Sequence, residues 1–257
     1  SYEEAFQCAL KSGPSNIRTL YEALFIKLTA ASQLLSGLKD VPDKTQATIW
    51  RRLGSIQHHF GAYDQAATYY EKALPFAEAA ADTVILSRIY GNTGIVNYVK
   101  GDDYRALDYL EKALSLGAIL RDTPMMTMVM MNLGNVWRNL DPPKSILIYL
   151  QALVLDPNNT QTLMLLSKAY LNDEKYIGKA YETAKAALQY SERNEEKSDA
   201  LHQLGRVFFE MKKYDQAISY FRKAYIFAIK GYGKNHPECV KINNYEGDVF
   251  LAKQEFR

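Results

Sequence analysis

Residues Leu201–Ala224 read LHQLGRVFFEMKKYDQAISYFRKA, and in this stretch the small residues fall where two antiparallel helices joined by a short turn must touch. Gly205, Ala217 and Ala224 are those residues. Leu204 precedes the glycine, Phe208 lies about one helical turn after it, Tyr214 closes the intervening turn, and Phe221 lies one turn beyond Ala217. Residues seven apart sit two turns on along one helix face, so Ala217 and Ala224 form a paired small stripe that lets a partner helix approach closely. Large side chains there would push the pair apart.

The same spacing recurs through the chain. A first small residue stands at Gly54, Gly94, Gly134, Ser167, Gly205 and Gly247. A second follows 11 to 13 positions later, at Ala66, Ala106, Ser145, Ala180 and Ala217, and a third always 7 after that, at Ala73, Ala113, Ala152, Ala187 and Ala224. Five copies of one helix–turn–helix unit therefore stack in sequence, followed by the start of a sixth.

These residues carry a resemblance to the tetratricopeptide repeat family, whose pattern is a large residue, Leu-Gly, an aromatic, then Ala, aromatic, Ala. WRRLGSIQ with AATYYEKA, from Trp50 to Ala73, fits it, as do MNLGNVW and YLQALVLDPNN between Met131 and Asn159. The resemblance implies an all-α fold, a right-handed superhelical solenoid of antiparallel helix pairs. It divides the chain into 1–46, a degenerate repeat or a pair of capping helices; 47–239, five units; and 240–257, the first helix of a truncated sixth. Two junctions depart from the pattern: Ser145 replaces alanine beside Pro142 and Pro143, and the fourth unit has Ser167 for glycine and one extra residue before Ala180.

The chain has 257 residues, 47% hydrophobic and 23% charged, which is the balance of a folded chain rather than a disordered one. A solenoid grows by stacking, so this length makes one array rather than two globular cores. With 31 basic against 29 acidic residues, no global field favours nucleic acid or an anionic membrane. No apolar run is long enough to span a bilayer, so membrane insertion is not expected. Cys8 and Cys239 stand far apart and in no metal-ligand or CxxC spacing. A cytoplasmic setting fits this usage.

In chain order, Ser1–Ser12 reads as a helix stopped by Gly13-Pro14, and the next helix, capped by Ser15 or Asn16, runs to Gly37. Intervals between the glycine-type positions are 40, 40, 33, 38 and 42, against about 34 for the minimal unit, so most second helices are expected to be extended by about a turn. Asp82-Thr83 and Asp122-Thr123-Pro124 supply caps, and only the third unit ends in the short form, Asp156–Asn159. Gly231 and Gly233 close the last long helix and Pro237 opens the next. The final 42-residue interval is similar to the units of kinesin light chains. The sixth unit stops at Phe256-Arg257, and since a solenoid end needs a polar cap, the natural chain is expected to continue.

Side chains that could carry chemistry are few. His58 and His59 are adjacent on a helix and point about 100° apart, which does not make a metal pair, while His236 belongs to a helix-start loop. The glycines of GNTG and GYGK lack phosphate-loop spacing. Asn158-Asn159-Thr160 has sequon form but reads as a helix cap. No catalytic residue, metal or cofactor is expected, and the chain is not read as an enzyme.

In this family the first helix of each unit lines the concave side. Taking Asp199, His202, Arg206 and Phe209 of the fifth unit as a ruler, the equivalent positions are Thr48, Arg51, Ser55 and His58; Arg88, Gly91, Ile95 and Tyr98; Met128, Met131, Asn135 and Arg138; and Gln161, Met164, Lys168 and Leu171. Asn92 and Asn132 stand beside that stripe. Of the methionine run from Met125 to Met131, Met126 and Met130 are expected in the core, with Met128 and Met131 on the groove. The expected peptide-binding groove is thus Arg51, Arg88, Asn92, Met128, Met131, Asn132, Asn135, Arg138, Lys168, His202 and Arg206, more basic than the molecule as a whole and suited to a partner of acidic character. Arg51 and Asn92 match two elements of the family's clamp for chaperone tails, but Ser55, Met128 and Asn132 do not match the rest. The expected function is a non-catalytic scaffold or adaptor that binds a peptide segment of a partner protein, with self-association as a further possibility. The alternative is a regulatory arm of a larger kinase, transcription regulator or caspase-like protease.

Overall fold

The computed structural model describes residues 14–36 and 41–255. The helix expected over Ser1–Ser12, with Cys8, and the stops at Gly13, Gly37 and Phe256-Arg257 lie outside those residues. The described residues form twelve α-helices and no strand: α1 Pro14–Ser36, α2 Asp43–His59, α3 Tyr63–Ala79, α4 Thr83–Val99, α5 Asp103–Leu120, α6 Thr123–Leu140, α7 Pro142–Leu155, α8 Thr160–Tyr170, α9 Ile177–Tyr190, α10 Asn194–Glu210, α11 Tyr214–Tyr232 and α12 Pro237–Glu255. The chain divides into two compact units, Ser1–Val136 and Trp137–Arg257, with the division inside α6.

In the first unit α2 packs on α3 and α4 on α5, and α2 also touches α4. The recurring glycines explain the intimacy of each pair. A Cβ at Gly54 would fall 2.5 Å from the ring of Tyr70, and one at Gly94 would fall 2.6 Å from Cγ of Leu110. Tyr70, Leu110, Ala66, Ala73, Ala106 and Ala113 are all buried, so the bulky residue of the second helix occupies the space that the missing side chain of the first leaves open. Burying such a large side chain is worth roughly 1.5–3 kcal/mol, available only while the glycine stays small.

The second unit repeats the scheme. The packed pairs are α8 with α9 and α10 with α11; α8 also touches α10, and α10 touches α12. A Cβ at Gly205 would lie 2.6 Å from the ring of Phe221. In the fourth repeat both sides of the contact change. Ser167 stands in the glycine position, and the bulky partner, four residues beyond Ala180, is Ala184; both are fully buried. The Ser167 hydroxyl donates to the Ala180 carbonyl at 2.8 Å, so the register is kept. The extra residue is absorbed by a 3-10 turn, Glu174–Tyr176, in which the Lys175 N–H donates to the side chain of Asp173. At the other departure, Ser145 is buried and its hydroxyl donates to the Pro142 carbonyl at 2.8 Å.

Helix lengths follow the repeat intervals except in the fourth unit, whose 38-residue interval carries a second helix no longer than that of the 33-residue third. The second helices α3, α5 and α11 have 17, 18 and 19 residues, whereas α7 and α9 have 14. Asp82, Asp122 and Asn159 cap their helices by accepting from the N–H groups of Ile85, Met125 and Thr162. α1 starts at Pro14, so Ser15 and Asn16 lie in its first turn rather than before it. Within pairs the turn carries a left-handed residue at Gly61, Gly101 and Lys212. The Lys213 N–H bonds the Phe208 carbonyl and the Lys212 N–H bonds the Phe209 carbonyl, the double closure of a Schellman turn. Gly233, at φ 91°, ends α11.

Candidate functional site

In the first unit α2, α4 and the start of α6 enclose a cleft of about 320 Å³ lined by Arg51, Ser55, Ser87, Arg88, Gly91, Asn92, Met125 and Met128. Four residues expected in the groove, Arg51, Arg88, Asn92 and Met128, meet here. The Ser55 hydroxyl donates to the Arg51 carbonyl at 3.1 Å and receives the Tyr70 hydroxyl at 3.4 Å and the Asn92 amide at 3.3 Å. This network fixes the floor of the cleft. Arg51 Nε is buried with no acceptor among the described residues. Burial, and then the nearby Arg88 and Arg52 guanidiniums, lower the pKa of Arg51, so the cleft concentrates positive charge around Arg51. Met128 is 44% exposed at the rim.

The remaining groove positions divide by register. Those three before the glycine-type position turn into the seam between first helices: Gly91, Met131, Met164 and His202 are all buried, and only Arg51 keeps partial exposure. Met131, expected on the groove face, is therefore in the core, whereas Met126 and Met130, expected in the core, are half-buried. Asn132 spends its amide on the Met128 carbonyl at 3.1 Å, and Asn135 is half-buried.

In the second unit the charges of Lys168, Arg206 and Lys241, carried by α8, α10 and α12, act on His202, and Asp199 acts on Lys168. His202 is 7% exposed, with ring centroids 5.5 Å from Phe221 and 4.8 Å from Tyr245. Burial, then Lys241, Arg206 and Lys168, push its pKa down to about 3, and the imidazole is neutral at pH 7. Lys168 is lowered by burial and by Lys241, Arg206 and Arg138, with Asp199 opposing. Asp199 accepts from the Tyr232 hydroxyl at 3.0 Å, and burial raises its pKa. Lys241 and Tyr245 lie outside the groove expected from the sequence. The ruler that picks out Asp199 six positions before Gly205 picks out Lys241 six before Gly247 once it is extended to the sixth unit. Ser87 and Met125 of the first cleft fall outside that ruler altogether.

The histidines outside this cluster have structural settings: His59 stacks on Tyr21 at 4.0 Å, and His236 stacks on Tyr232 and accepts from the Glu238 N–H at the start of α12. Among the described residues no group of His, Cys, Asp and Glu is arranged to hold a metal, and no helix is long and apolar enough to cross a membrane.

Comparison with known proteins gives one family. Residues 45–119 and residues 198–238 match models described as tetratricopeptide repeat. No curated protein matches the chain. Among solved structures, a chain of the APC/C hetero-tetramer Cut9-Hcn1 is similar with a TM-score of 0.66 at 14% identity, covering 93% of this chain and 42% of that one. The protein TTC0263 of Thermus thermophilus is similar with a TM-score of 0.56 at 18% identity, covering 80% and 99%. MamA of Desulfovibrio magneticus gives 0.54 at 19%, covering 72% and 96%. At these identities the likeness is one of fold. The small-residue contacts, the paired helices and the two matched stretches agree, and the chain is a tetratricopeptide repeat protein.

Proposed function

We propose that this chain is a non-catalytic interaction scaffold whose first unit holds an extended, acidic peptide segment of a partner protein in the cleft between α2, α4 and α6. The observation that carries the reading is the convergence of Arg51, Arg88, Asn92 and Met128 on one cleft. Guanidiniums gathered in one cleft suit acidic side chains. Asn92 can both donate and accept along a peptide backbone, and the exposed thioether of Met128 adapts to apolar side chains. The test is an array of extended peptides of graded charge, probed with the chain and with an Arg51→Glu/Arg88→Glu variant of unchanged helicity. Acidic peptides are expected to be retained by the former and to weaken at least tenfold with the latter. Equal retention by both would remove the cleft from the reading.

A further inference from the structure

Five of the chain's 7 methionines fall in the run MMTMVMM, Met125–Met131, and all of them lie among the described residues. Their access to solvent differs widely. Met128 is 44% exposed at the cleft rim, whereas Met125 and Met131, three residues to either side of it on α6, and Met164 on α8 are each 9% exposed. Met125 Sδ lies 3.8 Å from where a Cβ on Gly117 of α5 would stand, so that sulfur is turned into the packing. Met126, Met130 and Met211 are half-buried. An oxidant must reach the sulfur lone pairs, so the fold shields the other thioethers and offers one.

That one stands at a register where the other units are polar. Six positions before the glycine-type residue they carry Thr48, Arg88, Gln161 and Asp199. Arg88 holds this position in the preceding unit, and it lines the same cleft as Met128, together with Arg51 and Asn92. The cleft is rich in donors. Its guanidiniums have N–H groups and no acceptor, and Arg51 Nε is without a partner among the described residues. The Asn92 amide is directed to Ser55 at 3.3 Å. A thioether is a weak acceptor, so in its reduced form Met128 leaves the guanidiniums open to a ligand.

We propose that Met128 is a modification site for a hydroperoxide, and that its sulfoxide becomes an internal ligand of Arg88 that competes with a bound peptide. The proposal rests on the scaffold reading and adds regulation to it. The sulfur lone pair attacks the peroxide oxygen, the O–O bond breaks as the S–O bond forms, sulfur loses two electrons, and hydrogen peroxide leaves as water. No further reactant is required. The product is polar and carries an oxygen that accepts from a guanidinium, so one step removes an apolar contact and occupies an arginine. Sulfoxide reductases reverse it.

The test exposes the full chain to limiting hydrogen peroxide and makes three measurements. Peptide mapping by mass spectrometry is expected to show Met128 oxidised roughly fivefold faster or more than each of the other methionines. In NMR the Arg88 Nε–H signal is expected to move on oxidation of the parent and to stay in place in Met128→Leu under the same treatment. The acidic peptide best retained by the reduced chain is expected to weaken roughly fivefold or more after oxidation and to recover after treatment with sulfoxide reductases. Met128→Leu should show no such response to peroxide, whatever its starting affinity. Oxidation of another methionine at the rate of Met128, an unmoved Arg88 signal, or peptide affinity indifferent to oxidation would each overturn the proposal. If the reduced chain retains no acidic peptide, the scaffold reading fails by itself, and the oxidation rates and the Arg88 signal decide this one.

Discussion

Gly205 and Phe221 are packed so closely that a Cβ on the glycine would lie 2.6 Å from the phenyl ring. The ring is fully buried and has Tyr245 stacked beside it at 5.8 Å, which limits how far it can retreat. Gly205→Ala is therefore expected to destabilise the chain by about 1–3 kcal/mol, the usual cost of overpacking. Paired with Phe221→Leu, it should cost less than the two single changes together. Urea denaturation of the singles and the double measures the coupling.

Ser167 makes the opposite kind of contact, through hydrogen bonds instead of van der Waals fit. Removing its hydroxyl with Ser167→Ala leaves the buried Gln203 amide without its acceptor and is expected to cost about 1–3 kcal/mol. The same change should loosen Arg206, visible as faster exchange of its guanidinium protons in NMR.

His202 couples stability to pH. Its pKa is near the usual value in the unfolded chain and about 3 in the fold, so the unfolded state binds more protons between those limits. The contribution is complete above about pH 6.5 and declines as pH falls toward 3, by about 1.4 kcal/mol per unit. Urea melts at about pH 7 and pH 5 should show the parent losing roughly 2 kcal/mol more than His202→Phe. Equal losses would mean that the imidazole is charged in the fold.

Lys212 holds a left-handed conformation, φ 57°, where Gly61 and Gly101 serve in the first unit. A non-glycine residue pays about 1–2 kcal/mol for that region, and glycine loses part of the advantage through its freer unfolded chain. Lys212→Gly is expected to raise the melting temperature modestly, whereas Gly101→Val should lower it. Calorimetry of the two variants checks the sign of each.

Much of the fold was legible because the repeat writes one contact many times. Glycine opposite a bulky residue needs only spacing to be recognised, and caps such as Asp82 and Asn159 act within a few residues of themselves. The fourth repeat shows where local reading stops. Ser167 alone looks like a lapse, and only its contact with α9 shows that Ala184 has shrunk in exchange and that the hydroxyl has found the Ala180 carbonyl. Met131 is a plainer case: periodicity set its face along the helix, but neighbouring packing decided that this face was covered.

By itself the sequence determined the helix pairs and which residues press together within a pair, since those follow from small-residue spacing and short-range hydrogen bonds along one stretch of chain. Tertiary structure decided which positions of the first helices stay open, that Arg51 and Arg88 share a cleft with Ser55 and Asn92, and that His202 lies buried in the field of Lys168, Arg206 and Lys241. Those relations join different repeats as well as neighbours on one helix, and solvent access and electrostatic fields depend on distances in space that no local periodicity encodes.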